Sequence, residues 1–460
     1  MTDTSTVLGG LAFGRHAGSE RWGLFLQKAL FILTFVLYYL EISASTGGGT
    51  ILLFPNVGSF LTGTLLIVLN RWRIRPAYFQ ILMIIVGVLL ASVVLTSTQD
   101  DLFVKRLRST FQISAALFSA YGAFLSAAAL GRSFLARFFG WLFVVLIVGS
   151  VAESQLSWFR GISDAARAVF YPETTLYAAD VRDLTLYGAV RPRLFGREPS
   201  LVGINAGFAL TMWSLTTSQS KAWIRVGLLA VGVAVGLVIV RSPTILFFGV
   251  AGLAGELLVR NAAGAFDMFR RFVVIAILAF VVGAPIVIDV LNQLTGGQFD
   301  RIVLGTSFFI RMTGPFELAR AVISERPWFG VGIGGFDALL AYREMAYADL
   351  SSWGLAMTES NSDDMRKTIS NAFWEYWMFL GLFGGAVVVY LLNMCLKNIG
   401  LINTVFPFLA LALAAQNVGG SVTFRIWYFF LLWAAAVMTV ERMNRQDSIC
   451  ARAPSATQVG

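Results

Sequence analysis

Residues 311–336 read RMTGPFELARAVISERPWFGVGIGGF. They lie in the longest polar interval of a very apolar chain, and the rest of the sequence is arranged to present them. Thr313 is placed to act as an N-cap, and Pro315 falls in the first helical turn, where its missing N–H is no loss. Phe316, Ala319, Val322 and Ile323 recur at helical spacing, which predicts a short amphipathic helix. Arg311, Arg320 and Arg326 surround it with positive charge. Pro327 should end it, because the residue before a proline is pushed out of the helical region. The run Gly330-Val331-Gly332-Ile333-Gly334-Gly335 follows at once. It has the form G-x-G-x-x-G, but a dinucleotide fingerprint follows a strand and opens a helix in a β-α-β unit. Here it follows a helix between apolar runs, so that reading is rejected. A flexible turn on the membrane surface is the competing reading.

Outward from this stretch the chain is apolar. It is 57% hydrophobic and 13% charged, against roughly 25% charged in soluble domains. The expected fold class is an all-α polytopic membrane protein, one membrane domain over 1–460 with two large extracytoplasmic loops containing short helices. About twelve spans of about 20 apolar residues can be marked, at 24–43, 51–69, 78–97, 110–130, 134–152, 200–217, 222–240, 243–259, 272–290, 371–393, 400–416 and 424–440. The first apolar run is of full length, so it reads as a span and not as a removed signal peptide. The net charge of +9 does not point to nucleic acid, because the basic residues sit in short clusters between apolar runs. Cys395 and Cys450 give no disulfide framework and no zinc site. The one histidine is His16.

The basic clusters set an orientation. Arg15, Arg21 and Lys28 flank the first span and place the N-terminus in the cytoplasm. Later cytoplasmic turns hold Arg71, Arg73 and Arg75, then Arg132 and Arg137, then Lys221 and Arg225, then Arg260, Arg270 and Arg271, then Lys397. The tail ends inside with Arg442 and Arg445. One outer turn, with Lys105, Arg106 and Arg108 beside Asp100 and Asp101, breaks the rule. Two long polar intervals, 153–199 and 291–370, then share the outer side. Structureless loops beyond about 12–15 residues are uncommon, and Trp158, Phe159, Ile162, Ala166 and Phe170 have helical spacing. Ordered helices across the mouth of a cavity are therefore expected. Residues 447–460 are expected to be disordered.

The first interval ends Arg191-Pro192-Arg193-Leu194-Phe195-Gly196-Arg197-Glu198-Pro199-Ser200, with Pro199 near the first helical position of the sixth span. That span starts at the outer face, where a helix N-terminus offers partial positive charge and free N–H groups to phosphate. The eighth span opens likewise at Arg241-Ser242-Pro243, with Ser242 placed to cap, and the tenth at Ser370-Asn371. Any one of these arginines can instead serve a lipid headgroup. Arg241 is the exception, because an ionisable group in so short a turn tends to face a cavity or partner.

Taken in order, these segments resemble the O-antigen ligase and polymerase superfamily. Its members carry an arginine, a helix and a P-x-x-G-x-G-x-x-x-F segment in a large extracytoplasmic loop, matched here by Pro327, Gly330, Gly332 and Phe336. The family pattern continues to His-Asn and a helix holding G-x-x-G. This chain has Ser370-Asn371 and Gly381-Leu382-Phe383-Gly384, so the histidine is missing. Glu198-Pro199-Ser200, followed by Gly203 and Asn205, resembles an E-P-S motif of the exopolysaccharide-polymerase branch. Arg241-Ser242 resembles a further family position. The resemblance covers roughly 191–385. It implies a metal-independent, inverting glycosyltransferase of the bacterial cytoplasmic membrane that needs no cofactor. Its donor would be an oligosaccharide on a polyprenyl diphosphate, and its partners the lipid bilayer, a flippase and a chain-length regulator, with no nucleic acid.

The residue types suit that chemistry. A hydroxyl attacks the anomeric carbon and diphosphate leaves with growing negative charge, which Arg191, Arg193, Arg197, Arg241, Arg311 and Arg320 could meet while staying protonated. No Asp-x-Asp metal motif is present in the loops. For the base, Glu198 stands beside the arginines, although an ion-pair role serves it equally. Glu375, one turn inside the tenth span, is the second candidate, since burial raises a carboxyl pKa. Asp363 and Asp364 read as solvated loop charges. Serine at position 370 also leaves open a mechanism without a strong base. The expected function is polymerisation of lipid-linked repeat units. Ligation of finished glycan to another acceptor is the near alternative. A lipid-glycan flippase or secondary transporter is the alternative of another class, although the repeat symmetry and broken midplane helices of transporters are not evident. A scaffold would not need arginines at several helix ends.

Overall fold

The computed structural model describes residues 17–41, 44–45, 52–54, 56–97, 102–171, 183–184, 188–219, 221–260, 267–294, 311–347, 369–416, 418–419 and 424–452. His16, Asp100, Asp101, Asp363 and Asp364 lie outside them, as do 453–460 and much of 291–370. The described chain is helical apart from turns and a two-stranded ribbon, Ala44–Ser45 with Leu52–Phe54. In order the helices are α1 (Ala17–Leu40), α2 (Val57–Leu69), α3 (Pro76–Thr96), α4 (Phe103–Leu130), α5 (Arg132–Gln155) and α6 (Ser157–Phe170). Then come α7 (Pro199–Thr216), α8 (Ala222–Val240), α9 (Thr244–Gly255, continued by a π turn to Arg260) and α10 (Asp267–Leu294). The last are α11 (Thr313–Glu325), α12 (Leu340–Tyr347), α13 (Ala372–Asn398), α14 (Val405–Ala415) and α15 (Phe424–Arg452). Among the described residues, seven helices are long and apolar enough to cross a membrane: α1, α3, α4, α5, α8, α13 and α15.

A helix that is apolar all round belongs in a core or a bilayer. Residues 426–440 of α15 form such a stretch, and Phe429, Phe430, Trp433 and Val437 there are fully buried. α15 packs against α4, α7 and α14, with α5 alongside α7 and α2 alongside α4. The ring of Phe208 on α7 stacks on Phe429, centroids 4.1 Å apart. By contrast α1 turns Trp22 and Phe25 outward, and α8 turns out Trp223, Val231 and Val238, as lipid-facing surfaces do.

Several boundaries depart from expectation. The span expected at 51–69 is helical only from Val57, because Asn56 adopts a left-handed backbone (φ 63°) that ends the helix on its N-terminal side. The span expected at 400–416 is helical over Val405–Ala415. Gly400 turns the chain at φ 96°, and the Glu441 carboxylate holds the N–H groups of Ile402 and Asn403 at 3.1 and 2.7 Å. α15 continues through Asp447 to Arg452, past the point where order was expected to end.

Candidate functional site

The loop 191–198 is built by three neighbouring elements. Leu194 and Phe195 both have left-handed backbones, φ 43° and 62°, a conformation that costs about 1–3 kcal/mol per non-glycine residue and persists only where surroundings impose it. The buried Glu153 carboxylate accepts the N–H groups of Arg193 and Leu194, each at 2.7 Å. The Ser163 hydroxyl accepts the Phe195 N–H at 3.0 Å, and Tyr39 donates to the Leu194 carbonyl at 2.8 Å. Arg167, on the buried face of α6, donates to the carbonyls of Gly196 (3.0 Å) and Arg197 (3.4 Å). The loop thus delivers Glu198 as the N-cap residue of α7, with Pro199 first in the helix as the sequence predicts.

Burial alone would raise the Glu198 carboxyl. Arg197, Arg425, a hydrogen bond from Ser200 and Arg311 outweigh it, and the group titrates below the ordinary carboxylate range. So the structure brings Arg197 and Arg311 to Glu198 from loops more than a hundred residues apart. It adds Arg425, which sequence reasoning missed. Arg425 opens α15 and grips the Glu41 carboxylate with both arms of its guanidinium, Nε donating to Oε1 at 2.6 Å and Nη2 to Oε2. Tyr171 donates to the Leu40 carbonyl beside this pair. Burial, and next the Glu41 charge, push its phenol up to about 12, against the pull of Arg197, Arg167 and Arg425. The overlooked signal was an arginine opening the last apolar run, to be paired with a glutamate closing the first.

Arg241 closes α8 with a left-handed backbone, φ 55°. Its turn lies against the first turns of α7: a Cβ on Gly203 would stand 2.6 Å from the Ser242 hydroxyl. Arg241 is therefore at the Glu198 end of α7. Ser242 does not cap α9; Pro243 is the N-cap residue, and the Ser242 side chain is spent against Gly203. Likewise Thr313 is the first residue inside α11 and Met312 precedes it without a side-chain cap. The helix does end ahead of Pro327, at Glu325.

Asn371 fastens Arg311 in place. It is fully buried, and its Oδ1 caps α13 by accepting the N–H groups of Phe373 and Trp374, both at 3.1 Å. Its Nδ2 donates to the Arg311 carbonyl at 2.6 Å and to Gln416 Oε1 at 3.0 Å. Glu375 is fully buried one turn further on, and Ser370 is half-buried beside Gly419.

The other arginines are placed differently. Arg191 is buried and bound to Asp183, its Nε donating at 3.0 Å. Arg193 is buried, 4.0 Å from the Asp164 carboxylate. Arg320 lies on the exposed face of α11 and pairs with Glu317 at 2.9 Å.

The glycine run has a different task from the flexible turn weighed above. α13 is broken at Gly381, where φ is 65° and ψ −178°, so a broken span, which was not evident from the sequence, is present. The break strands carbonyls before it and N–H groups after it, and segment 327–332 supplies the partners. Val331 and Gly332 donate to the carbonyls of Met378 and Phe379, both at 3.0 Å. The Pro327 carbonyl accepts from Leu382 at 2.7 Å, and the Trp328 carbonyl accepts from Gly384 at 2.9 Å. The approach is so close that a Cβ on Gly330 would overlap the Met378 carbonyl oxygen. Phe336 packs edge-on against Phe379, centroids 5.0 Å apart. The far side of the run rests on α4. Lys105 pairs with Asp337, and the fully buried Arg106 lies against Gly332 while donating to the Thr96 carbonyl at 2.9 Å. Lys105 and Arg106, which broke the charge rule, are thus fixed to protein partners.

Against known proteins, the chain matches no family model, no curated sequence and no solved structure.

Proposed function

We propose that the chain is a metal-independent, inverting glycosyltransferase that polymerises polyprenyl-diphosphate-linked oligosaccharide repeats at the outer face of a bacterial cytoplasmic membrane. The observation that carries this reading is the convergence of Arg197, Arg311 and Arg425 on Glu198 at the N-terminal end of α7, with the Arg241 turn packed against the same helix end. Guanidiniums beside a helix N-terminus suit a departing diphosphate, because they stay charged and present paired N–H donors. On this reading the chain crosses the membrane twelve times. The shorter or less apolar crossings are α2, α7, α9, α10 and α14, and both termini lie in the cytoplasm. The site and segments 153–199 and 291–370 then share the outer side.

Glu198 was the first candidate for the base. A carboxylate held below its ordinary range is a weak proton acceptor, so on this reading Glu198 serves as a negative charge balancing the nearby guanidiniums. Diphosphate is a good leaving group, and attack by the acceptor hydroxyl then proceeds without a strong base. The test is turnover by purified protein given a polyprenyl-diphosphate oligosaccharide. A growing ladder supports polymerisation, and transfer to a second acceptor supports ligation. Movement of the lipid across a vesicle without a new glycosidic bond would overturn the enzyme reading in favour of a flippase.

A further inference from the structure

At the end of α7 opposite Glu198, an open groove of about 1020 Å³ lies between α5, α7 and α8. Its lining on α7 runs from Leu210 to Thr216, which places it about 18–27 Å from Glu198 along a helix rising about 1.5 Å per residue. Its volume reaches the upper end of the roughly 300–1,000 Å³ that ligand pockets span. Trp141, Val144, Trp213, Leu228 and Val231 make its walls apolar. Trp141 and Val231 are well exposed, so the groove opens sideways where a bilayer would lie.

Its rim carries the opposite chemistry. Arg132 is fixed there by donating to the Thr216 carbonyl at 2.9 Å and to the Thr217 carbonyl, which caps the negative end of the α7 dipole. Arg137 also lines the groove. It stands five residues into α5, is exposed, and donates to the Ser133 carbonyl at 3.2 Å. A basic side chain at this depth extends along apolar surface toward the headgroup layer. Apolar walls leading to two guanidiniums at one end match an amphiphile with a hydrocarbon tail and an anionic head. Basic pockets between membrane helices on the cytoplasmic side select anionic lipid headgroups.

We propose that this groove is a binding site for an anionic glycerophospholipid of the leaflet at the Thr216 end of α7, its phosphate between Arg132 and Arg137 and an acyl chain along Trp141, Trp213 and Val231. The site is separate from the one assigned to the glycan donor and does not depend on that assignment.

The test is native mass spectrometry of the purified full chain after incubation in vesicles of equal phosphatidylglycerol and phosphatidylethanolamine doped with a polyprenyl phosphate. The wild type should retain phosphatidylglycerol over phosphatidylethanolamine by about tenfold, the scale expected from one to two cations near a headgroup. Arg137→Gln, which leaves Arg132 in place, should cut that ratio to about threefold. Val231→Trp, which fills the groove from an exposed position, should reduce retention of both glycerophospholipids. Equal retention by the wild type, a preference unchanged in both variants, or displacement of phosphatidylglycerol by the polyprenyl phosphate would overturn the proposal. Arg137 and Val231 are both exposed, so neither change should prevent folding, and each variant reads the site by itself.

Discussion

Replacing Gly330 by alanine should cost about 3–4 kcal/mol, and the sum can be built from its surroundings. Gly330 has φ 56°, a left-handed backbone that costs an L-residue about 1–2 kcal/mol. The new methyl group would overlap the Met378 carbonyl oxygen, so the segment must lift away from α13. Lifting it breaks the bonds from Val331 and Gly332 to Met378 and Phe379, worth about 1 kcal/mol each. Unfolding entropy of about 2.1 cal/mol/K per residue comes to roughly 1 kcal/mol/K over this chain, so the melting temperature should fall by about 3–4 °C. Gly400→Ala is the control: Gly400 also has a positive φ, 96°, but a Cβ there meets nothing within 4 Å. It should lose only the backbone term, about 1–2 °C by the same scale. Both are read by thermal unfolding of detergent-purified protein followed through tryptophan fluorescence. Equal shifts in the two variants would refute the claim that the glycine run splints the broken helix.

Other outcomes follow from the arginine site. Arg311→Ala should reduce turnover about 10²–10³-fold, the loss typical of one donor to developing charge, read by a polymer-ladder assay; Arg425→Lys should lower the melting temperature, because lysine keeps the charge but loses the planar fork that grips Glu41, and an unchanged melt would contradict it. Glu198 has its carboxyl lowered on folding, so its ionised form adds stability above the unfolded value of about 4.3, and that contribution disappears as pH falls through the folded value. Stability of Glu198→Gln measured from pH 7 down to 3 should accordingly lack this part of the acid loss, and an acid limb identical to the wild type would contradict it. A cysteine introduced at the exposed Ser324 of α11 should react with an impermeant thiol reagent in intact spheroplasts, and labelling only after lysis would invert the topology.

What could be read from the sequence was local. Apolar runs located the helices, Pro199 marked the start of α7, Pro327 the end of α11, and Asn371 the start of α13, because each acts through its own backbone or within one turn. The rest depended on partners far along the chain. The arginines of 191–197 looked alike, but only the fold gives Asp183 to Arg191 and brings Arg311 and Arg425 near Glu198. Arg425 meets a carboxylate 384 residues away. The glycine run could be recognised as special without its purpose being visible, since the break it mends is at Gly381. Thr313 and Ser242 were misassigned as caps for the same reason: residue type permits capping, but the direction of the side chain is set by what packs against it.

The central position of α15 bears on how the protein is made. In order of synthesis it follows every other described helix, yet α4, α7 and α14 all pack on it. Until it inserts, those helices enclose no finished centre, and Glu41 waits at the end of α1 for a guanidinium that has not been translated. The arginine cluster is therefore completed only with the arrival of the last helix. A chain stalled or truncated ahead of residue 424 would lack both its axle and one of the three guanidiniums near Glu198.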